Sequence, residues 1–404
     1  MRILVLDEEF PYPLNTGKRI RSFNLLSRLA ARHNLRYVAY GETASEAHRA
    51  LIDASMQPVA VDPRVPAKAG IGFYARLAMN LFSPDPYIVA SHYSVGYQTV
   101  VDHQVTGFVP DVVLCEWTPY ARYIKRLHGT CKVIATHNVE ARIWQRYYEH
   151  EHQPFRRWYI GVQWRKVQKF ERTALAWIDG LTAVSAADRD EFLRERPALP
   201  TSVIDNGVDL DYFRSSRRSP DSAHLVFTGS MDWRPNQDAA AYFVHEMLPL
   251  LRRRVPEATV TFVGRNPPEH IRALGNRPGV RITGTVDDVR PYIDSATVYV
   301  VPLRIGGGSR LKILEAMAMK RAVVSTTVGA EGLNVADGTN ILLADTPTTF
   351  IDAVCGVLAD RERANRLGCA GRELVEACYG WDPLAQKLEQ FLCEVVAHRK
   401  AGEG

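Results

Sequence analysis

Gly306-Gly307-Gly308-Ser309-Arg310-Leu311-Lys312-Ile313-Leu314-Glu315-Ala316-Met317-Ala318 follows directly on the apolar run Thr297-Val298-Tyr299-Val300-Val301-Pro302-Leu303. An apolar, β-branched run stopped by glycines reads as a buried strand, so the glycines mark the place where a parallel strand gives way to a helix. A helix start there offers unpaired N–H groups and a partial positive charge to an anion. Arg310 adds a planar fork that can grip two phosphate oxygens, and Lys312 adds a point charge. Glu315 supplies an acceptor for a diol such as a ribose. On residue types the stretch reads as a site for a diphosphate joined to something with hydroxyls. A glycine linker before an ordinary basic surface helix is the bland alternative, because short glycine-rich motifs are common.

Outward from this unit, short apolar runs alternate with longer helical patterns along the whole chain, the signature of βαβ units and an α/β fold. The first half places strands at 2–7, 35–39, 111–114, 132–135 and 180–184, and the second at 224–229, 259–263, 280–283, 297–301 and 322–325. A chain of 404 residues exceeds the roughly 250–300 at which one core stops growing, so two domains are expected. Turn formers and charges crowd residues 204–221, just before a fresh strand, and set domains at 1–209 and 210–383, with a last helix at about 384–404 returning to the first. Open parallel sheets bind ligands beyond the carboxyl ends of their strands, so two such sheets place a site in the cleft where they face.

Composition narrows the function classes. Hydrophobic residues make up 46% and charged residues 24%, as in a soluble globular protein. Fifty Lys and Arg against 45 Asp and Glu give +5, too mild a balance to imply nucleic acid but compatible with anionic substrates or an anionic membrane face. The six cysteines show no CxxC spacing, which points to a reducing cytoplasm and argues against zinc. No run approaches 18 apolar residues, and the apolar start breaks at Asp7-Glu8-Glu9, so neither a spanning helix nor an export signal is expected.

Four further stretches sit where strands end. The turn at Gly17, after the first strand, opens a helix with Lys18, Arg19 and Arg21, but it lacks the GxGxxG of dehydrogenases. His137, in Thr136-His137-Asn138-Val139-Glu140, stands at a strand end where a neutral imidazole can bond a sugar hydroxyl or a phosphate, and Glu116 is a similar case one strand earlier. Gly229 and Ser230 open the first strand-to-helix turn of the second half, and Asp232 and Asn236 beyond them read equally as caps. Residues 143–170 interleave aromatic and basic side chains over a mostly helical stretch. That pattern suits an anionic bilayer or a lipid-linked acceptor, and it also suits an amphipathic core helix.

These pieces in this order resemble a family 4 retaining glycosyltransferase of the GT-B fold, two Rossmann-like doubly wound parallel-sheet domains facing across a cleft. The resemblance runs from the Gly17 loop through Ala183-Val184-Ser185, Asn206-Gly207-Val208-Asp209 and Val328-Gly329-Ala330-Glu331-Gly332 to Trp381-Asp382. It is similar above all to bacterial sugar transferases of exopolysaccharide and surface-glycan assembly. The resemblance implies a nucleotide-diphosphate sugar as donor and a glycan or lipid-linked acceptor, with no metal and no other cofactor. The protein would be cytoplasmic, with the inner face of the membrane as a further partner. It implies that His137, Arg310 and Lys312 serve the transfer, with Arg310 and Lys312 holding the leaving diphosphate. It also implies that Glu315, Gly229, Ser230, Gly307, Gly308, Ser309, Leu311 and Gly17 surround the donor. Two departures stand out: Gly307 replaces the first glutamate of the family motif, and Ser230 and Asn236 replace its phosphate-binding Arg and Lys. A GT-B epimerase, a phosphorylase and a non-catalytic nucleotide- or glycan-binding relative are the competing readings.

Overall fold

A computed structural model describes residues 1–62, 70–151, 153–215, 223–305 and 310–402. The chain divides into two compact units, Met1–Asp205 with Leu384–Gly404, and Asn206–Pro383.

The first unit is built on seven parallel strands: β1 (Arg2–Glu9), β2 (Asn34–Tyr40), β3 (Gln57–Val61), β4 (Val112–Cys115), β5 (Cys131–Ala135), β6 (Gly180–Ala183) and β7 (Thr201–Val203), in the order β3-β2-β1-β4-β5-β6-β7. Its centre is covered on both faces, so Ile3, Leu4, Val5 and Leu6 are all buried, and β1 pairs with β4 from Ile3 against Val112 onward. The strand order reverses between β1 and β4, which puts the turns after these two strands at the place where open α/β sheets take ligands. The last helix, Trp381–Gly402, packs into this unit from Leu384 onward. Its Glu389 accepts from Arg32 Nε (2.9 Å) and lies 2.6 Å from His33 Nε2, and its Arg399 Nη1 donates to Asp179 Oδ2 (2.8 Å). Phe391 and Val395 come so close to Gly180 that a Cβ there would sit 3.0–3.1 Å from them.

The second unit carries six parallel strands: β8 (His224–Thr228), β9 (Thr259–Val263), β10 (Val280–Ile282), β11 (Val298–Val301), β12 (Ala322–Ser325) and β13 (Leu342–Leu343), ordered β10-β9-β8-β11-β12-β13. Here the order reverses between β8 and β11, paired from Leu225 against Val298. Phe227, Phe243, Phe262 and Phe350 are fully buried in its core. Among the described residues no helix is long and apolar enough to cross a membrane.

Candidate functional site

In the second unit the turn after β8 and the helix Leu311–Ala318 that follows β11 meet through three side chains. Lys312 Nζ donates to Asn236 Oδ1 (2.7 Å), and Asn236 Nδ2 donates in turn to the Ser230 carbonyl (2.8 Å). The Lys312 ammonium also lies 4.1 Å from the ring centroid of buried Phe227. Two glycines make room for this contact. A Cβ on Gly229 would sit 2.7 Å from Lys312 Nζ, and one on Gly264 would sit 1.8 Å from the Gly229 carbonyl oxygen. Tyr299 on β11 fixes the strand end from beneath, its hydroxyl 2.5 Å from Thr228 Oγ1 and accepting the Thr228 N–H at 3.2 Å.

Lys312 and Glu315 stand one helical turn apart, both half-buried. Burial pushes the Lys312 ammonium down to about 7, with Arg310 adding to the effect and Glu315 opposing it. Burial likewise pushes the Glu315 carboxyl up to about 7 against the pull of Lys312. Neither group is settled in one charge state near neutral pH, so an arriving anion gains by holding the proton on Lys312.

The other donor-side residues are placed unevenly. Leu311 opens the helix and packs against the core of the unit. Arg310 precedes it in a left-handed conformation (φ 53°), and its guanidinium is turned to Glu331, donating to Oε2 (3.0 Å) and to the main-chain carbonyl (3.3 Å). A diphosphate therefore competes with Glu331 for Arg310, whereas Lys312 is held by a neutral amide. Gly307, Gly308 and Ser309 lie outside the described residues. Ser230 Oγ donates to Asp232 Oδ1 (2.6 Å) and accepts from Arg265 Nε (2.8 Å). Arg265 thus brings an exposed cation to the same strand ends. Sequence reasoning missed it, although Val263-Gly264-Arg265 repeats the strand–glycine–cation pattern of the stretch after β11.

In the first unit the residues after β1, β4 and β5 come together. His137 Nε2 lies 3.4 Å from Glu116 Oε2, is buried, and is aligned for no hydrogen bond among the described residues. Glu116 also accepts from Ser22 Oγ (2.5 Å), and against the burial that raises it, His137, Ser22 and Arg21 hold its carboxyl below the ordinary range. The imidazole turns Nε2 to this carboxylate, which orients the ring at a strand end where open α/β sheets meet their ligands. Gly17 opens the helix Gly17–Ala30, but the first cations of that helix do not await an anion. Lys18 is clasped by Asp7 (2.6 Å) and Glu8 (2.8 Å), and Arg21 donates to the carbonyls of Ile204 (2.7 Å) and Asp205 (2.6 Å). Both are structural ties.

The loop that carries His137 leads into the helix Glu140–His150, whose first two N–H groups, of Glu140 and Ala141, are taken by the Glu171 carboxylate at 2.9 and 3.0 Å. Glu171 is the sole carboxylate of the helix Pro154–Leu175, which in hindsight marked it. Burial pushes it up to about 8, more than the two N–H bonds lower it. In the window between the ordinary carboxylate value and about 8, the folded state therefore binds more protons than the unfolded chain, and stability falls as pH rises. Between about pH 5 and 8 the wild type is expected to lose melting temperature relative to Glu171→Gln, and parallel pH profiles for the two proteins would contradict this.

The basic and aromatic stretch 143–170 splits into two uses. Gly161, Gln163, Val167 and Phe170 are buried, while Phe155 and Trp158 are exposed. Lys166, grouped by sequence with the surface cations, instead donates to the carbonyls of Asn80 (2.6 Å), Leu81 (3.1 Å) and Ser83 (2.7 Å).

Residues 222–360 match the family described as glycosyl transferases group 1. That match lies within the second unit, Asn206–Pro383. Over 240 residues the chain is 32% identical to a GDP-mannose-dependent alpha-(1-6)-phosphatidylinositol monomannoside mannosyltransferase of Mycobacterium tuberculosis, covering 53% of this chain and 61% of that protein. The match thus spans about three-fifths of the length of that relative. An alpha-maltose-1-phosphate synthase of Mycolicibacterium smegmatis is 27% identical over 303 residues, covering 67% of this chain and 75% of the relative. Sucrose-phosphate synthase from Thermosynechococcus elongatus superimposes with a TM-score of 0.69 at 17% identity, over 98% of this chain and 100% of that one. Anabaena HepE in complex with UDP does so with a TM-score of 0.67 at 14% identity, over the same shares. The fold is GT-B, and the helix after β11 that carries Lys312 and Glu315 lies within the residues that match the group 1 family.

Proposed function

We propose that the chain is a retaining, metal-independent glycosyltransferase, which moves a sugar from a nucleotide-diphosphate donor to a glycan or lipid-linked acceptor in surface polysaccharide assembly. The observation that carries this reading is Lys312. It is a half-buried cation resting on Phe227 and fixed by Asn236, at the point where the strand order of the second unit reverses. A cation with its ordinary charge weakened by burial gains most from a partner that brings two phosphates. Glu315, one turn on, takes the ribose hydroxyls. In the transfer the bond between the anomeric carbon and the diphosphate oxygen breaks, the acceptor hydroxyl attacks on the same face, and its proton leaves with the diphosphate. Lys312 and nearby main-chain N–H groups stabilise the negative charge that builds on the leaving oxygen, a role in which one donor is worth about 2.7–4 kcal/mol in other enzymes. Donor candidates follow from the relatives, one named as using GDP-mannose and one solved with UDP.

His137 belongs to the unit that does not hold the nucleotide, and its role is to bond the transferred sugar or its phosphate. His137→Ala is expected to reduce turnover by about 10²–10⁴-fold, the span typical of a lost acid–base or polar group at a reacting centre, while nucleoside diphosphate affinity stays within about twofold. Steady-state kinetics beside calorimetry with UDP and GDP check it. Near-normal turnover would return His137 to a packing role.

A further inference from the structure

The helix Ile71–Asn80 is apolar on its solvent side as well as its inner one. Its solvent side carries Ile71, Tyr74, Ala75, Ala78 and Met79, followed by Phe82 just past its end, an unbroken apolar stripe at helical spacing. Ile71 and Phe82 are 90% and 92% exposed, close to the values of residues in an open chain. Its inward side carries half-buried Phe73 and Leu77 and ends in a polar clasp. Asn80 is buried, accepts from Gln163 Nε2 (2.9 Å) and donates to the Asp85 carbonyl (3.1 Å), while Lys166 ties down the carbonyls of Asn80, Leu81 and Ser83. Rolling the stripe inward would break these bonds and strand polar groups in the core, at a cost that keeps the apolar side out. The orientation is built in.

The partner helix of that clasp, Pro154–Leu175, starts with exposed Phe155 and Trp158, their rings 5.8 Å apart and tilted, and exposes Arg156, Arg157, Arg165 and Lys169 along its length, with no carboxylate before Glu171. Asp85, whose carbonyl accepts from Asn80, is paired with Arg122 at 3.2 Å, and Glu149 and Glu151 precede this helix in the sequence. An apolar stripe with Tyr and Trp beside a cation-rich helix is complementary to one kind of partner, a bilayer carrying anionic headgroups. We propose that the solvent side of the Ile71–Asn80 helix, together with the start of the Pro154–Leu175 helix, is the face by which this protein docks on an anionic membrane. The proposal gives the lipid-linked acceptor of the preceding reading its surface and rests on that reading for its purpose, but not for its test.

The test is co-sedimentation of the full chain with vesicles of phosphatidylcholine alone and of phosphatidylcholine with phosphatidylglycerol. The wild type is expected to sediment with the anionic vesicles and to release as salt rises. Two variants, Ile71→Ser/Tyr74→Ser/Phe82→Ser and Arg156→Gln/Arg157→Gln/Arg165→Gln, should each lose about tenfold or more in partitioning. These side chains are exposed, so folding is not at stake, and unchanged thermal stabilisation by UDP or GDP checks both the fold and the nucleotide reading separately. Wild-type protein that ignores anionic vesicles would overturn the proposal, as would a serine variant that sediments like the wild type. So would a wild-type dimer that the serine changes convert to monomer without any vesicle binding, since the stripe would then serve a second copy of the chain.

Discussion

Replacing Lys312 with alanine is expected to lower donor turnover by about 10²–10³-fold in a protein that remains folded. The ammonium makes one hydrogen bond, to a neutral amide, and sits above an aromatic face, so its removal leaves Asn236 short of a partner, and Glu315, which loses its neighbouring cation, can stay neutral by keeping its proton. The variant should bind UDP and GDP far more weakly than wild type while its affinity for uridine and guanosine is little changed. The same residue sets a pH dependence. Burial holds it near 7, and a bound diphosphate raises that value by favouring the charged form. Affinity for the nucleoside diphosphate should therefore fall as pH rises above about 7, where Glu315 is already ionised and Lys312 loses its proton, by up to tenfold per unit, and this alkaline fall should be absent from Lys312→Ala. A pH-independent wild type, or equal losses for nucleoside and nucleoside diphosphate, would assign Lys312 a structural role.

The second large effect is at Glu315. Glu315→Ala is expected to weaken UDP or GDP and the matching nucleotide sugar by the same amount, roughly 1.5–3 kcal/mol for a lost charged hydrogen bond to the ribose. Equal losses are the signature of a contact to the part that both ligands share. The substitution also removes the charge that favours the protonated form of Lys312, so Lys312 should titrate at a lower pH in the variant. Titration calorimetry at two pH values separates the direct loss from this indirect one. Unchanged nucleotide affinity in folded Glu315→Ala would remove the ribose assignment.

Much of the architecture was legible because the central strands are buried on both faces. Burial of that kind writes itself as runs such as Ile3-Leu4-Val5-Leu6 and Val298-Tyr299-Val300-Val301, which no turn or exposed helix tolerates. Of the four edge strands only β10 was legible. β3 contains Pro58, β7 reads Thr201-Ser202-Val203, and β13 is two residues long, so none carries a signal distinct from a loop. The pairing of Lys312 and Glu315 was legible from spacing on one helix, and His137 and Gly229 from their places at strand ends. What local sequence does not contain is who faces whom. Lys18 and Arg21 open a helix at a strand end and carry no assignment of their own in the sequence, but Lys18 is clasped by Asp7 and Glu8 at the end of β1 and Arg21 is tied to the carbonyls of Ile204 and Asp205, partners that only the fold brings together. Lys166 looks like every other cation of its helix until the Asn80 carbonyl is seen against it. Arg310 presented its fork to phosphate on paper and gives it to Glu331 in the fold. The Ile71–Asn80 helix is the sharpest case, since an apolar stripe in sequence normally predicts the buried side and here one such stripe faces solvent.

The central claim is that this chain breaks the bond between a sugar and a nucleoside diphosphate. Its most direct test is release of nucleoside diphosphate from a panel of UDP-, GDP- and dTDP-sugars, with chelator present, followed for wild type and Lys312→Ala side by side. The account predicts that wild type releases nucleoside diphosphate from at least one donor, faster with acceptor present, and that Lys312→Ala is slower by about 10²–10³-fold. Tight binding of nucleoside diphosphates with no release from any donor would contradict it and leave a nucleotide-binding protein without transferase activity.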